Sequence, residues 1–260
     1  MIAVDTLPAN QQAVLLNLLR REQVKMSFHV PLVGPDGLVV VNDTKVLEPV
    51  IGAGADPVPE YQFGSDSKFL LNLSRGIVCA VAGTFEAITI AKNIVGEAEP
   101  PSPLTGLESH QAWRRKLEQI ADKTVMPEQG GAEITILRVD SPRLCWKLSK
   151  FPGHGANCTP VHDRTHMGNR SSARFLPQHL WKHQKVQDLK KLGLLTLAFA
   201  ERENSLISGV FEVLSLTDAG FKLERFKNAD VKQWAATFLE NLQSLFDTHE
   251  MNLTSTEVPL

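Results

Sequence analysis

A chain of 260 residues, 43% of them hydrophobic, is long enough to fill the core of one sizeable domain. Its 22% charged residues and formal net charge of -2 describe an ordinary water-facing surface and exclude the basic excess of a nucleic-acid binder. The longest apolar runs, at 77–83 and 193–200, are too short for a bilayer-spanning helix, and the opening residues lack the basic stretch of a secretory signal.

Leucines and valines at helical spacing predict a short amphipathic helix over 9–25. The next segment reads differently: two apolar runs around Gly34-Pro35-Asp36-Gly37 predict a hairpin over 28–41. Residues 49–65 are rich in Gly and Pro and are expected to form a loop. Two short strands follow, at 68–73 and 76–83, and the chain then enters a helix at 85–97 whose Ile88, Ala91 and Ile94 share a face. Prolines at 100, 101 and 103 stop that helix and stiffen a linker at 99–106. A charged helix over 107–123 leads to a second hairpin, 132–139 and 143–148, turning at Asp140-Ser141-Pro142. Residues 151–170 read as an irregular His- and Gly-rich stretch. Helices resume over 171–201, with a break expected at Pro177 or Gly193. A last hairpin turns at 217–220, a final amphipathic helix spans 229–246, and the tail from 249 is polar and expected to be loose. Two strand-rich blocks separated by helical blocks predict two stacked sheets with helices outside them, and no boundary for a second domain.

The run Gly34-Pro35-Asp36-Gly37-Leu38-Val39-Val40-Val41-Asn42-Asp43-Thr44-Lys45 resembles the first hairpin of proteasome β subunits and of the related bacterial HslV and Anbu peptidases. Ser67-Lys68-Phe69-Leu70 is similar to that family's lysine-bearing strand. The segment 76–83, ending Ala82-Gly83, is similar to the strand before its first helix. The good match covers about 27–97; beyond it the element order agrees, with looser likenesses at Gly168 to Ser172 and at Ser208-Gly209. The resemblance implies an α+β fold, a four-layer αββα sandwich of the N-terminal-nucleophile (Ntn) hydrolase kind, with two antiparallel sheets between helix layers. It implies a domain over 27–248, an N-terminal extension or propeptide over 1–26 (or a start assigned too early), and a loose tail over 249–260.

In this family the first residue of the mature chain is the nucleophile and its own α-amine is the base. An α-amine titrates near pH 8, so an appreciable fraction is neutral at physiological pH. Counting back from Asp43 along the matched hairpin puts the nucleophile on Ser27. By the same resemblance Asp43 orients the lysine, Lys68 supplies positive potential, and the backbone N–H of Gly83 donates to the oxyanion. Met26 stands directly before Ser27, so either translation starting there or an autocatalytic cut would expose the amine.

Each of the four residues also has a plain structural reading. Ser27 can begin a strand, Asp43 can close a turn, Lys68 can blunt a sheet edge, and Gly83 suits any tight strand-to-helix step. The segment between Asp43 and Lys68 is longer than in the family. Two supports of the amine are also changed: Asn204 stands where the family often has Asp, and Asn169 where it often has Ser.

His154, Cys158, His162 and His166 recur every fourth residue, a spacing that zinc accepts. Gly153, Gly155, Pro160 and Gly168 break a helix there, so a polar surface loop is expected, with no metal and no cofactor. The three scattered cysteines, Cys79, Cys145 and Cys158, suit a reducing cytoplasm. The tryptophans at 113, 146, 181 and 234 suit core or interface anchors, and Arg114-Arg115-Lys116 a solvated helix face.

The resemblance thus implies a cytoplasmic peptidase acting on peptide or unfolded protein through an acyl-enzyme on Ser27. It implies self-association into a ring or related homo-oligomer, and leaves an ATP-dependent unfoldase partner undetermined. The alternatives are a non-catalytic proteasome-like subunit used for assembly or binding, and an amidase acting on non-peptide amides.

Overall fold

The computed structural model describes residues 28–50, 60–65, 67–101, 106–128, 130–161, 167–168, 184–203, 207 and 209–248. The expected helix at 9–25, the nucleophile candidate Ser27, and the tail from 249 lie outside them.

The first hairpin forms as expected, with β1 (Phe28–Gly34) and β2 (Gly37–Asp43) in register from Gly34↔Gly37 to His29↔Asn42. The 49–65 segment departs from expectation. β3 (Lys45–Val50) and β4 (Glu60–Ser65) pair antiparallel as a separate two-stranded sheet. Gly and Pro density concealed the ladder formed by the strands on either side of 51–59, which lie outside the described residues. Next come β5 (Phe69–Asn72), β6 (Ile77–Gly83), α1 (Phe85–Glu97) and α2 (Gly106–Asp122). The chain continues through β7 (Ala132–Arg138), β8 (Cys145–Lys150), β9 (Asn157–Val161) and β10 (Met167–Gly168). α3 (Val186–Glu203), β11 (Phe211–Thr217), β12 (Gly220–Phe226) and α4 (Asn228–Thr248) complete it. The stretch expected to be irregular therefore carries the edge strand β9 and the short β10.

Among the described residues two five-stranded antiparallel sheets result, in the orders β10-β1-β2-β11-β12 and β5-β6-β7-β8-β9. Alternation along the strands puts apolar residues on both faces of each sheet. Val33, Leu38, Val40, Leu214 and Leu216 of the first sheet meet Val78, Ala80 and Leu137 of the second, forming the core between the sheets. Val30, Leu32, Val39, Val41 and Val213 point the other way, under α3, and α4 packs on α3. On the far side α1 and α2 cover the second sheet through Ile90, Ile94, Leu117 and Trp113. Trp113 meets Trp146 edge-on, with ring centroids 6.2 Å apart. The layers are thus helices, sheet, sheet, helices: an α+β, four-layer αββα sandwich.

α3 runs unbroken through Gly193, one of the two places where a break was expected; the other, Pro177, and the start of the expected helical stretch at 171 lie outside the described residues. A Cβ at Gly193 would lie 2.2 Å from Val41 Cγ2. The residue is small because the helix presses directly onto β2, and that close approach offsets the poor helix propensity of glycine. Asp36, in the turn of the first hairpin, accepts the N–H of Val186 through Oδ1 at 2.9 Å and so caps the start of α3.

All three cysteines are buried and none is in a disulfide. Burial raises the Cys79 thiol and pushes that of Cys158 up to about 12. A thiolate is the reactive species, so a disulfide exchange reagent at pH 8 is expected to leave the native protein untouched and to release three equivalents in denaturant.

Candidate functional site

The site lies where β2 ends, β5 begins and β6 turns into α1. Asp43, the last residue of β2, is fully buried. Its Oδ1 accepts the N–H of Phe28 at 2.9 Å, and its Oδ2 accepts Lys68 Nζ at 2.9 Å. Lys68 is 6% exposed and directly precedes β5, where its carbonyl accepts the Val81 N–H at 3.0 Å. That bond ties the lysine to β6 two residues before Gly83. The two side chains are 25 positions apart in sequence; one ends a strand of the first sheet, the other stands just before a strand of the second, and they form a buried ion pair across the end of the sandwich.

The lysine is held in tension between two effects. Burial pulls its pKa below the ordinary value, while the neighbouring negative charges of Asp43 and Glu212 push it back up.

Gly83 closes β6 in a conformation (φ +127°) that L side chains rarely adopt. A Cβ there would lie 2.1 Å from the Gly131 carbonyl oxygen, which accepts the Thr84 N–H at 3.0 Å. The step is therefore restricted to glycine on two independent grounds. It delivers the chain into α1, whose N-terminus adds positive potential beside the lysine's strand.

Thr44 follows Asp43 and accepts the Val210 N–H through Oγ1 at 2.9 Å. Gly209 sits against that hydroxyl, so close that a Cβ would be 2.7 Å from Oγ1. The Ser-Gly turn singled out in the sequence thus packs through its glycine on the residue after Asp43. Its Ser208, and Asn169 and Asn204, lie outside the described residues.

Sequence reasoning missed a polar row beside this pair. His29, Asn42 and Glu212 are fully buried, and the strand registers set them side by side: His29↔Asn42, then Asn42↔Glu212. His29 Nε2 lies 3.0 Å from Thr135 Oγ1 of the opposite sheet. Glu212 accepts Ser67 Oγ through Oε2 at 2.8 Å and Arg225 Nε through Oε1 at 2.9 Å. The Asn42 amide finds no protein partner among the described residues. A signal was present: all three occupy strand positions whose parity faces the core between the sheets, in line with Val40 and Leu214.

Two members of the His/Cys period, His154 and Cys158, fall within the described residues. His154 is on an exposed turn, and Cys158 points into the core under α2 while its N–H donates to Glu118. His162 and His166 lie outside the described residues, and among those described no three His, Cys, Asp or Glu side chains converge as a metal site. Arg114, Arg115 and Lys116 are exposed as expected. A separate cleft of about 340 Å³, lined by Leu107, His110, Gln111, Arg114, Trp146 and Pro160, opens between α2 and β8–β9 and shares no residue with the Asp43 cluster. Among the described residues no helix is long and apolar enough to cross a membrane.

No protein-family model matches the sequence, and no curated protein matches it. Solved structures do match in fold. A Gly-1 mutant of Anbu from Hyphomicrobium sp. strain MC1 superposes with TM-score 0.61 at 15% identity, covering 88% of this chain and all of that one. Anbu from Yersinia bercovieri, described as an ancestral β subunit, gives TM-score 0.57 at 11% identity, with 88% and 100% covered. Anbu from Pseudomonas aeruginosa, solved as a helical assembly, gives 0.54 at 15%, with 88% and 98% covered. At such identities the likeness is one of fold, and the αββα sandwich of this chain is the one found in the proteasome-like Anbu proteins.

Proposed function

We propose that the chain is a proteasome-like Ntn hydrolase, a peptidase that cleaves amide bonds through an acyl-enzyme on Ser27. The observation that carries this reading is the buried Asp43–Lys68 pair, whose carboxylate also holds the N–H of Phe28, the residue joined to Ser27. In the reaction the freed α-amine of Ser27 takes the proton from its own hydroxyl, and Oγ bonds to the substrate carbonyl carbon. The Gly83 N–H donates to the oxyanion that forms, while Lys68, oriented by Asp43, favours the ionised hydroxyl and the neutral amine. The C–N bond then breaks, the leaving amine takes the proton, and water hydrolyses the ester to regenerate Ser27. No cofactor enters the scheme.

The catalytic domain on this reading is 27–248, and residues 1–26 are absent from the active chain. Peptide or unfolded protein is the substrate and the cytoplasm the compartment. Self-association into a homo-oligomer has support from the helical assembly formed by the Pseudomonas aeruginosa Anbu complex.

A second reading, a non-catalytic subunit, is favoured by Asn204 and Asn169, which replace the family's supporting Asp and Ser. Retention of residues 1–26 would favour it too, because a peptide bond at Ser27 removes the base.

The deciding measurement is the intact mass of protein made from the native gene with its upstream region. A chain starting at Ser27, acylated by a serine-directed probe and unlabelled in Ser27→Ala, is the expected result. A full-length 28.7 kDa species that resists the probe gives the assignment to the second reading.

A further inference from the structure

Glu212 is unusual for its position. On β11 it shares a face with Leu214 and Leu216, which fill the core between the sheets, and it is itself fully buried. A leucine would satisfy the packing there. A buried carboxylate carries a desolvation cost that ion pairing often only balances, so packing alone does not account for it. Its two oxygens are committed in opposite directions. Oε1 takes Nε of Arg225, its register partner on the sheet-edge strand β12, whose side chain is 65% exposed. Oε2 takes Oγ of Ser67, the residue before Lys68. Ser67 Oγ in turn accepts the Phe69 N–H at 3.3 Å, so the carboxylate anchors, through Ser67, the residues on both sides of the lysine.

We propose that Glu212 is a positioning residue for Lys68, the inner acid of a chain of alternating charge that runs from Arg225 at the surface through Glu212 and Lys68 to Asp43. It fixes the approach of the lysine to Asp43 through Ser67 and supplies a second negative charge in a region of low dielectric, where charges act strongly on one another. Arg225 tempers that charge from the solvent side. The chemical meaning of the inference rests on the peptidase reading, because a charged, oriented lysine matters there to the Ser27 hydroxyl.

Its test is independent of activity. The Lys68 ammonium is followed by NMR in full-length protein carrying ¹³C-labelled lysine, with its resonance assigned by loss in Lys68→Met. The midpoint of its titration is compared among wild type, Glu212→Gln, Glu212→Asp and Arg225→Gln, each checked for a native amide spectrum. Loss of the carboxylate charge is expected to move the midpoint to lower pH, and loss of the arginine to higher pH. The aspartate variant should stay near wild type. Opposite movements cannot come from a merely structural bridge, which either variant would loosen alike. Unchanged midpoints, or movement in one direction for both, overturn the proposal. Should Glu212→Gln fail to fold, the Arg225→Gln arm at an exposed side chain carries the test, and an unmoved midpoint there overturns the proposed chain of alternating charge. Opposite shifts in a protein that no probe acylates would leave this inference standing while the peptidase reading falls.

Discussion

Asp43→Ala is expected to destabilise the protein by about 3–5 kcal/mol, the usual cost of removing one member of a buried ion pair. The loss has two origins. The Lys68 ammonium, 6% exposed, is left without its hydrogen-bonded counter-charge, and the Phe28 N–H loses the carboxylate oxygen that accepts it. For a chain of this size each kcal/mol lowers the melting temperature by roughly 2–4 °C, so a drop on the order of 10 °C is expected by circular dichroism. Lys68→Met in the same background should restore part of it, because the uncompensated charge goes with the lysine and the two changes are coupled. A single-variant loss below about 1 kcal/mol would show the pair to be solvated after all, in the range of exposed pairs. If Ser27 is the nucleophile, acylation by the serine-directed probe should disappear in both single variants even at temperatures where they remain folded.

Gly83→Ala is expected to cost a further large amount, about 2–5 kcal/mol, from backbone strain at positive φ and overpacking together. The clash is with backbone: the new methyl would lie 2.1 Å from the Gly131 carbonyl, in the β6–β7 pairing where Gly83 faces Ala132. No side-chain rotation relieves it. Either the strand end shifts or the step into α1 reorients, and both displace the Gly83 N–H from the end of the sandwich. Gly96 is the matched control. It is exposed near the end of α1 with nothing within 4 Å of a Cβ, so Gly96→Ala should be neutral or stabilising by about 0.5–1 kcal/mol. Equal melting temperatures for the two variants would refute the account of Gly83.

Much of the fold was legible because local signals and tertiary demands coincided. The Asp36-Gly37 turn, the unbroken apolar run to Val41, and the Ala82-Gly83 step into a helix each state in sequence what the structure builds. The ion pair was legible in outline, since the resemblance read from the hairpin and the lysine-bearing strand paired Asp43 with Lys68 and the structure brings them to 2.9 Å. What was hidden depends on distant neighbours. Gly193 reads as a helix breaker until Val41 is seen beneath it. Pro49 and Pro160 argue against strands, yet both lie in ladders: among the described residues β3 has only β4 beside it, and β9 is an edge strand. Glu212 is a single charge in an apolar strand, and its meaning depends on Ser67 and Arg225, 145 and 13 residues away.

The order of the strands in the first sheet also sets a timetable for the growing chain. β2 pairs with β11, so Asp43 meets Phe211 only after some 168 further residues have been made. At ordinary rates of synthesis that is roughly ten to thirty seconds. The second sheet, β5 to β9, is contiguous in sequence and can close long before. During that interval one edge of β2, with Val39 and Val41, has no strand beside it and no α3 above it, a surface that invites pairing with another nascent chain. Slow translation or a holding chaperone should therefore matter more for the yield of this protein than for its final stability.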